Sequence, residues 1–244
     1  MQLTGKKMNS SPDAPELTSG HVHIWYIPLT VDPERLHDIQ AILSDEERDR
    51  AGRFIHKTDC LHWTAARGSL RLILSKYTGQ APDALTFTRN EFGKPALEPA
   101  ASSLQFNLSY SQEQAVLAIS DQNPVGVDLQ FMPASFDGSL LDWTASPHEI
   151  EWLTSIPPDS LRQHLLRLWV RKEALLKAAG SGLSIEPTTF SLPPGPAPLS
   201  MEFDDFLGKS RLWTLYDLSE HDPLMSLAAC GEGHIIVEKN WVVT

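Results

Sequence analysis

The same order of a strand, then helices, then strands recurs on either side of the chain's middle, and this repetition limits the fold more than any other feature. In the first stretch, His21–Ile27 alternates as a strand does, with Val22, Ile24 and Tyr26 on one side. Asp32-Pro33 opens a short helix, with Asp as the cap and Pro at the first helical position. Ser44-Asp-Glu-Glu47 has the capping-box pattern. A longer helix follows through Leu61, Ala65, Leu70, Ile73, Leu74 and Tyr77, with Gly79 placed to end it. Strands are expected near Leu85–Thr88, Leu104–Leu108 and Ala115–Ser120. The second stretch begins with a strand near Val125–Phe131. Its main helix runs from about Leu161 to Ala179, capped by Asp159 or Ser160 and ended by Gly180. Strands follow near Thr188–Leu192, Arg211–Tyr216, Leu224–Ala229 and His234–Val237, with Pro193–Pro198 as a loop. Gly79 precedes Phe87 by eight residues, as Gly182 precedes Phe190. The expected fold is α+β, a pseudo-dimer of two similar halves with a ligand site between them. Residues 1–20 form a flexible tail, residues 21–122 one half and residues 123–244 the other.

The 244 residues are 41% hydrophobic, enough for a packed core. No apolar run approaches the roughly 20 residues that span a bilayer. Met1–Gly20 is polar and lacks the apolar core of a signal peptide. Cys60 and Cys230 make no disulfide framework. A cytoplasmic chain without membrane association is expected. The net charge of -11 weighs against nucleic-acid binding. Ser44–Lys76 runs against that average, with seven basic residues to five acidic ones. Such a segment suits a small anionic ligand, although two solvated helix faces would give the same count.

Four segments carry polar groups on ordered faces. In Trp169-Val-Arg-Lys-Glu-Ala-Leu-Leu-Lys-Ala-Ala-Gly180, a helix puts Trp169, Glu173 and Lys177 on one stripe. Glu173 and Lys177 alone would be an ordinary exposed pair, worth roughly 0.2–0.5 kcal/mol. In Pro124-Val-Gly-Val-Asp-Leu-Gln-Phe131, a strand puts Val125, Val127, Leu129 and Phe131 on a core-like face. Gly126, Asp128 and Gln130 share the other, where the glycine leaves room for close approach. Asp128 beside Glu173 would make a hard-cation site of the kind Mg²⁺ takes, with one or two carboxylates plus water and phosphate oxygens. In Phe106-Asn-Leu-Ser-Tyr-Ser111, Asn107, Ser109 and Ser111 share a face suited to phosphate or ribose, or simply to solvent. Asn90-Glu-Phe-Gly-Lys-Pro95 is a turn that can present Lys94 to an anion.

Taken in order, these segments resemble the 4'-phosphopantetheinyl transferases of the surfactin-synthetase-activator type. Gly93-Lys-Pro95 is similar to the family's Gly-Lys-Pro turn, and Phe106–Ser111 to its Phe-Asn-x-Ser-His-Ser segment. Gly126-Val-Asp-Leu-Gln130 is similar to Gly-(Ile/Val)-Asp-x-Glu. Trp169–Gly180 is similar to Trp-x-x-Lys-Glu-Ala-x-x-Lys-x-x-Gly, with Gly182-Leu-Ser continuing the match. The basic run from Arg48 to Arg71 resembles the family's coenzyme A side. The resemblance runs from about Val22 to Phe190.

The resemblance implies a Mg²⁺-dependent holo-carrier-protein synthase, with Mn²⁺ as a substitute metal. It would move phosphopantetheine from coenzyme A to a serine of an apo acyl, peptidyl or polyketide carrier protein and release 3',5'-adenosine bisphosphate. The site would lie in the cleft between the halves. Asp128 and Glu173 would hold the metal. Lys177 would neutralise the pyrophosphate with Lys172 nearby, and the serine proton would go to Glu173 directly or through a metal-bound water. Ser109, Tyr110 and Lys94 would hold phosphates, Pro95 would also belong to the coenzyme A site, and Arg50 and His62 would meet the nucleotide end. A monomer that binds neither nucleic acid nor membrane is implied. His62 stands where Arg is commoner. Gln130 replaces the strand motif's second acid, and Tyr110 replaces a histidine, which removes a cation near pH 7. Two other readings remain: a non-catalytic coenzyme A or carrier-binding module, and a Mg²⁺ phosphotransferase acting on a nucleotide.

Overall fold

The computed structural model describes residues 15–98, 103–134 and 139–242, so most of the tail expected over residues 1–20 lies outside the described residues. The first half contains β1 (His21–Pro28), α1 (Pro33–Ala41), α2 (Asp45–Ala51) and α3 (Lys57–Thr78). A hairpin of β2 (Thr86–Arg89) and β3 (Pro95–Glu98) follows, then a second of β4 (Leu104–Ser111) and β5 (Gln114–Asp121). The second half contains β6 (Val125–Gln130), α4 (Ser139–Thr144), α5 (Pro147–Leu153) and α6 (Pro158–Ala179). It continues with β7 (Leu199–Asp204), β8 (Ser210–Ser219) and β9 (Leu224–Cys230), and the chain ends in β10 (Ile235–Asn240). The two four-stranded sheets run β10-β1-β5-β4 and β6-β9-β8-β7.

Strand alternation sorts the apolar residues of the sheets into three main cores, beside a small fourth cluster at Leu166, Val170 and Leu224. Trp25 and Ile27 of β1 and Leu117 and Ile119 of β5 pack with Leu70, Ile73 and Leu74 of α3. The opposite residues, Val22, Ile24, Val116 and Ala118, pack against Val125, Val127 and Leu129 of β6 and Leu227 of β9. On the far side, Trp213, Leu215 and Ala228 pack with Leu168, Leu175 and Ala178 of α6. The order is therefore helix, sheet, sheet, helix, two α+β halves with their sheets face to face. No described helix is long and apolar enough to cross a membrane.

Local signals set most of the boundaries. Asp32 Oδ1 accepts the Arg35 N–H at 2.9 Å, and Ser44 and Glu47 close the capping box of α2. Helices α3 and α6 are 22 residues each, and both stop at a left-handed glycine, Gly79 at φ +70° and Gly180 at +84°. Gly180, two residues before Gly182, is thus the structural counterpart of Gly79. Three expectations are corrected. Helix α6 begins earlier, at Pro158, and neither Asp159 nor Ser160 caps it; Pro suits that position because the N–H it lacks would have no partner in the first turn. Thr188–Leu192 is not a strand. Its backbone is taken by side chains, since the Phe190 carbonyl accepts from Lys172 Nζ at 2.7 Å and the Leu192 N–H donates to Glu149 Oε1 at 2.8 Å. Strand β10, expected in the second half, lies in the first half's sheet, parallel to β1 with His21 opposite Ile235.

Glu47 also ties α2 to α3. It accepts from Arg67 Nε and, at 2.7 Å, from Arg71 Nε. Burial pushes the Glu47 carboxyl up, but the hydrogen bond from Arg71 and the charge of Arg67 prevail and hold it below the ordinary value. A lowered carboxylate contributes stability that is present above the unfolded value and lost as pH falls through the folded one. Glu47→Gln should cost about 3 kcal/mol at pH 7, because it leaves two arginines without their anion. The difference from the natural chain, read from urea midpoints across a pH series, should narrow as pH falls below about 4.5.

Candidate active site

The site forms where β4, β6 and α6 converge, and a glycine permits the convergence. A Cβ at Gly126 would lie 2.2 Å from the Ala174 carbonyl oxygen and 2.2 Å from the Ala178 nitrogen. Backbone atoms cannot give way as a flexible side chain can, so β6 touches α6 only with glycine there. Two residues on, Asp128 faces the same way and is 1% exposed. Strand β4 reaches β6 through Asn107, whose Oδ1 accepts the Val127 N–H at 2.9 Å. Ser109 Oγ donates to Asp128 Oδ1 at 2.8 Å.

Between residues 168 and 180, α6 leaves only Trp169, Glu173 and Lys177 unburied, the stripe that helical spacing predicts. Lys177 Nζ donates to Asp128 Oδ1 at 2.5 Å and to Ser109 Oγ at 3.1 Å. Its distance to Glu173 is 3.8 Å. The lysine is therefore mainly the partner of the strand carboxylate and only loosely that of its helical neighbour. Asp128 Oδ2 and Glu173 Oε1 are buried without any hydrogen-bond partner. Burial raises the Glu173 carboxyl and the charge of Asp128 adds to the rise, while Lys177 opposes it. Two acids against one ammonium leave the cluster short of positive charge, and the two bare oxygens are where a hard cation would find ligands. Gln130 is half-buried on the same face of β6.

Beside the cluster lies a groove whose lining includes Arg50, Arg67 and Arg89, with Trp63, Pro95 and Tyr110 among them. The Arg50 guanidinium lies 5.8 Å from the centre of the Trp63 ring. Burial raises the Tyr110 phenol, with Arg50 opposing and Asp59 adding, so it is neutral near pH 7. Arg50, Pro95 and Tyr110 thus line one groove. His62, half-buried on α3, does not line this groove. Trp63 and Arg89 were not singled out from the sequence. Trp63 follows His62 directly, and Arg89 precedes the Asn90 turn, positions that carry no motif.

Two lysines are engaged elsewhere. Lys94 Nζ donates to the carbonyls of Ala178 at 2.8 Å and Val125 at 3.1 Å, and Asn90 Nδ2 donates to Gly180 O at 2.8 Å. The Asn90–Pro95 turn is therefore fastened to the end of α6. Burial lowers the Lys94 ammonium to about 8. Lys172 is 0% exposed and donates to Glu149 Oε2 at 2.5 Å and to the carbonyls of Pro187 at 2.6 Å, Phe190 at 2.7 Å and Thr144 at 2.9 Å. Its ammonium does not reach the cluster. Ser109, expected on a phosphate, has its hydroxyl committed to Asp128 and Lys177.

Residues 124–228 match the 4'-phosphopantetheinyl transferase superfamily, and residues 31–122 match the N-terminal region of 4'-phosphopantetheinyl transferases. The chain is similar to the 4'-phosphopantetheinyl transferase HetI of Nostoc sp., at 36% identity over 225 residues, 89% of this chain and 92% of the relative. It is also similar to a 4'-phosphopantetheinyl transferase of Bacillus subtilis, at 33% over 155 residues, 63% of this chain and 67% of the relative. Against the B. subtilis transferase Sfp the figure is 26% over 168 residues, 68% of this chain and 73% of the relative.

The engagement of Lys172 has a measurable consequence. Lys172→Met leaves the Glu149 carboxylate and three carbonyls without their donor, so it should cost about 3 kcal/mol of stability. Chemical denaturation of the variant beside the natural chain checks this. An unchanged midpoint would show that the ammonium is not a structural tie.

Proposed function

The chain belongs to the 4'-phosphopantetheinyl transferase superfamily, and on that footing we propose that the Asp128–Lys177–Glu173 cluster carries the transfer in this protein. The enzyme moves phosphopantetheine from coenzyme A to a serine of an apo carrier protein and releases 3',5'-adenosine bisphosphate. The observation that supports the assignment to this cluster is the pair of buried, partnerless oxygens, Asp128 Oδ2 and Glu173 Oε1, beside an ammonium.

The carrier serine attacks the phosphorus next to pantetheine, and the bond to the adenosine bisphosphate oxygen breaks. Such transfer needs positioning and charge neutralisation more than covalent help. Lys177, held by Asp128 and Ser109, offers its ammonium to the pyrophosphate. Glu173 is the base for the serine hydroxyl, and the burial that raises its carboxyl makes it the stronger base. Arg50, Arg67 and Arg89 would face the phosphates of the nucleotide end, Trp63 would offer a ring face to the adenine, and the Tyr110 hydroxyl would donate to a phosphate oxygen. Ser109 orients Asp128 and Lys177 rather than binding substrate. The residues fit Mg²⁺ or Mn²⁺, since Asp128 and Glu173 are the one or two carboxylates such an ion takes. Asp128 and Glu173 would hold such an ion, which would supply Lewis-acid neutralisation of the pyrophosphate. The reading has the enzyme act as a cytoplasmic monomer on acyl, peptidyl or polyketide carriers. The two free cysteines accord with a reducing compartment.

Intact-mass analysis of apo-carriers incubated with coenzyme A tests the reading. Labelling should need divalent metal. Asp128→Ala and Glu173→Ala should each lose about 10²-fold or more in single-turnover rate, the scale of removing a preorganised electrostatic group. Gln130→Ala should keep most of the rate. Full labelling in excess chelator would sink the metal assignment, and coenzyme A binding without any labelling would leave a binding module.

A further inference from the structure

The open stripe of α6 has two unlike ends. At Lys177 it meets β4, which also lines the arginine groove. At Trp169, eight residues and about 12 Å back along the axis, it meets a different groove of about 480 Å³. Trp143, Trp169, Leu183 and Pro187 supply the apolar lining, and Asp142 and Glu186 the charge. Trp143 is 72% exposed and Leu183 60%, so two large apolar side chains stand in water in the groove that Trp169 also lines. Trp169 itself is anchored from behind by Leu166 and Val170. Exposed apolar surface of this kind, with tryptophan at its centre, marks protein-binding surfaces.

Charge decides the occupant. Among the described residues both ionised residues of the groove are acids and neither lysine nor arginine lines it, so it repels the phosphates of the donor substrate. It suits a partner that brings apolar side chains without an acidic rim. Glu173 lies midway along the stripe, so a protein seated at the Trp169 end presents its serine to the carboxylate while the pyrophosphate approaches from Lys177.

We propose that the Trp143–Trp169–Leu183 groove is the docking surface for the carrier protein, and that it favours carriers whose face beside the modified serine is apolar and neutral or basic over strongly acidic ones. The proposal rests on the transferase reading above. The experiment measures KM for two substrates, a strongly acidic apo acyl carrier protein and an apo peptidyl carrier domain with a neutral serine-flanking face. Both are assayed with the natural chain, Trp143→Ala, Leu183→Ala, the double variant Asp142→Lys/Glu186→Lys, and Leu207→Ala as an exposed apolar control in the β7–β8 turn. The natural chain should prefer the neutral carrier. Trp143→Ala and Leu183→Ala should raise KM for that carrier about tenfold, the scale of a truncated anchor, and leave KM for coenzyme A unchanged. The charge reversal should lower KM for the acidic carrier. Carrier KM values within twofold of the natural chain for both alanine variants, or an equal rise in Leu207→Ala, would overturn the docking surface and leave the transferase intact. A natural chain that binds coenzyme A but labels neither carrier would overturn the transferase reading and the docking with it.

Discussion

The site depends on a contact that excludes every side chain. At Gly126 the backbone of β6 lies against the backbone of α6, with the Ala174 carbonyl and the Ala178 nitrogen where a Cβ would stand. This approach brings Asp128 under the helix and within reach of Lys177, which sits one turn beyond Glu173. Even alanine at 126 would separate strand and helix, and the polar cluster would open to water. The acid on β6 could then no longer stay buried, since it depends on Lys177 and Ser109 for compensation. Packing and electrostatics are here a single constraint: the tight contact makes the buried charge possible, and the paired charge makes the tight contact tolerable.

The same end of α6 is held from the other half. Asn90 and Lys94 donate to carbonyls of its last turn and cap, the negative end of the helix dipole. Burial costs the Lys94 ammonium enough to lower it to about 8, and the two carbonyls offset part of that cost. Lys172 plays a similar part deeper in the second half, gathering the backbone around residues 187–190. Of the three motif lysines, two are structural ties and one stands at the Asp128–Glu173 cluster. A positive charge in a recurring pattern is thus not by itself a ligand contact; the number of fixed acceptors already around it decides.

Much of this was legible in the sequence because it follows from period and sterics. The two faces of β6, the polar face of β4 and the Trp169–Glu173–Lys177 stripe all follow from spacing, and the structure puts each where spacing requires. What failed depended on partners distant in the chain. Lys172 is adjacent to Glu173, yet consecutive helical residues point about 100° apart, and the direction that leads to Glu149 could not be read from one helix. Thr188–Leu192 has strand-like residues, but Lys172 and Glu149 take its backbone groups. Strand β10 completes the first half's sheet across more than 200 residues of chain, a pairing with no local signature. Trp63 and Arg89 meet only because α3 and the β2–β3 hairpin border one groove.

The charges along α6 have a direction. The arginine groove is positive, Lys177 follows, the two carboxylates come next, and the groove at Trp169 is apolar with acids at its edge. In a chain of net charge -11, the positive end is a local exception, built from arginines held in place by Glu47 and ring contacts. In the proposed reading an anionic donor is drawn to one end of this line and repelled from the other, so that the two substrates of a transfer would be sorted by charge before any specific contact forms. Between the two ends, Asp128 Oδ2 and Glu173 Oε1 are buried without a hydrogen-bond partner. A phosphoryl group in flight needs opposite aids on its two sides, positive charge toward the leaving oxygens and a base toward the attacking one. In the proposed reading one helical stripe, three residues at intervals of four, would supply both, with its third member, Trp169, as the apolar boundary beyond Glu173.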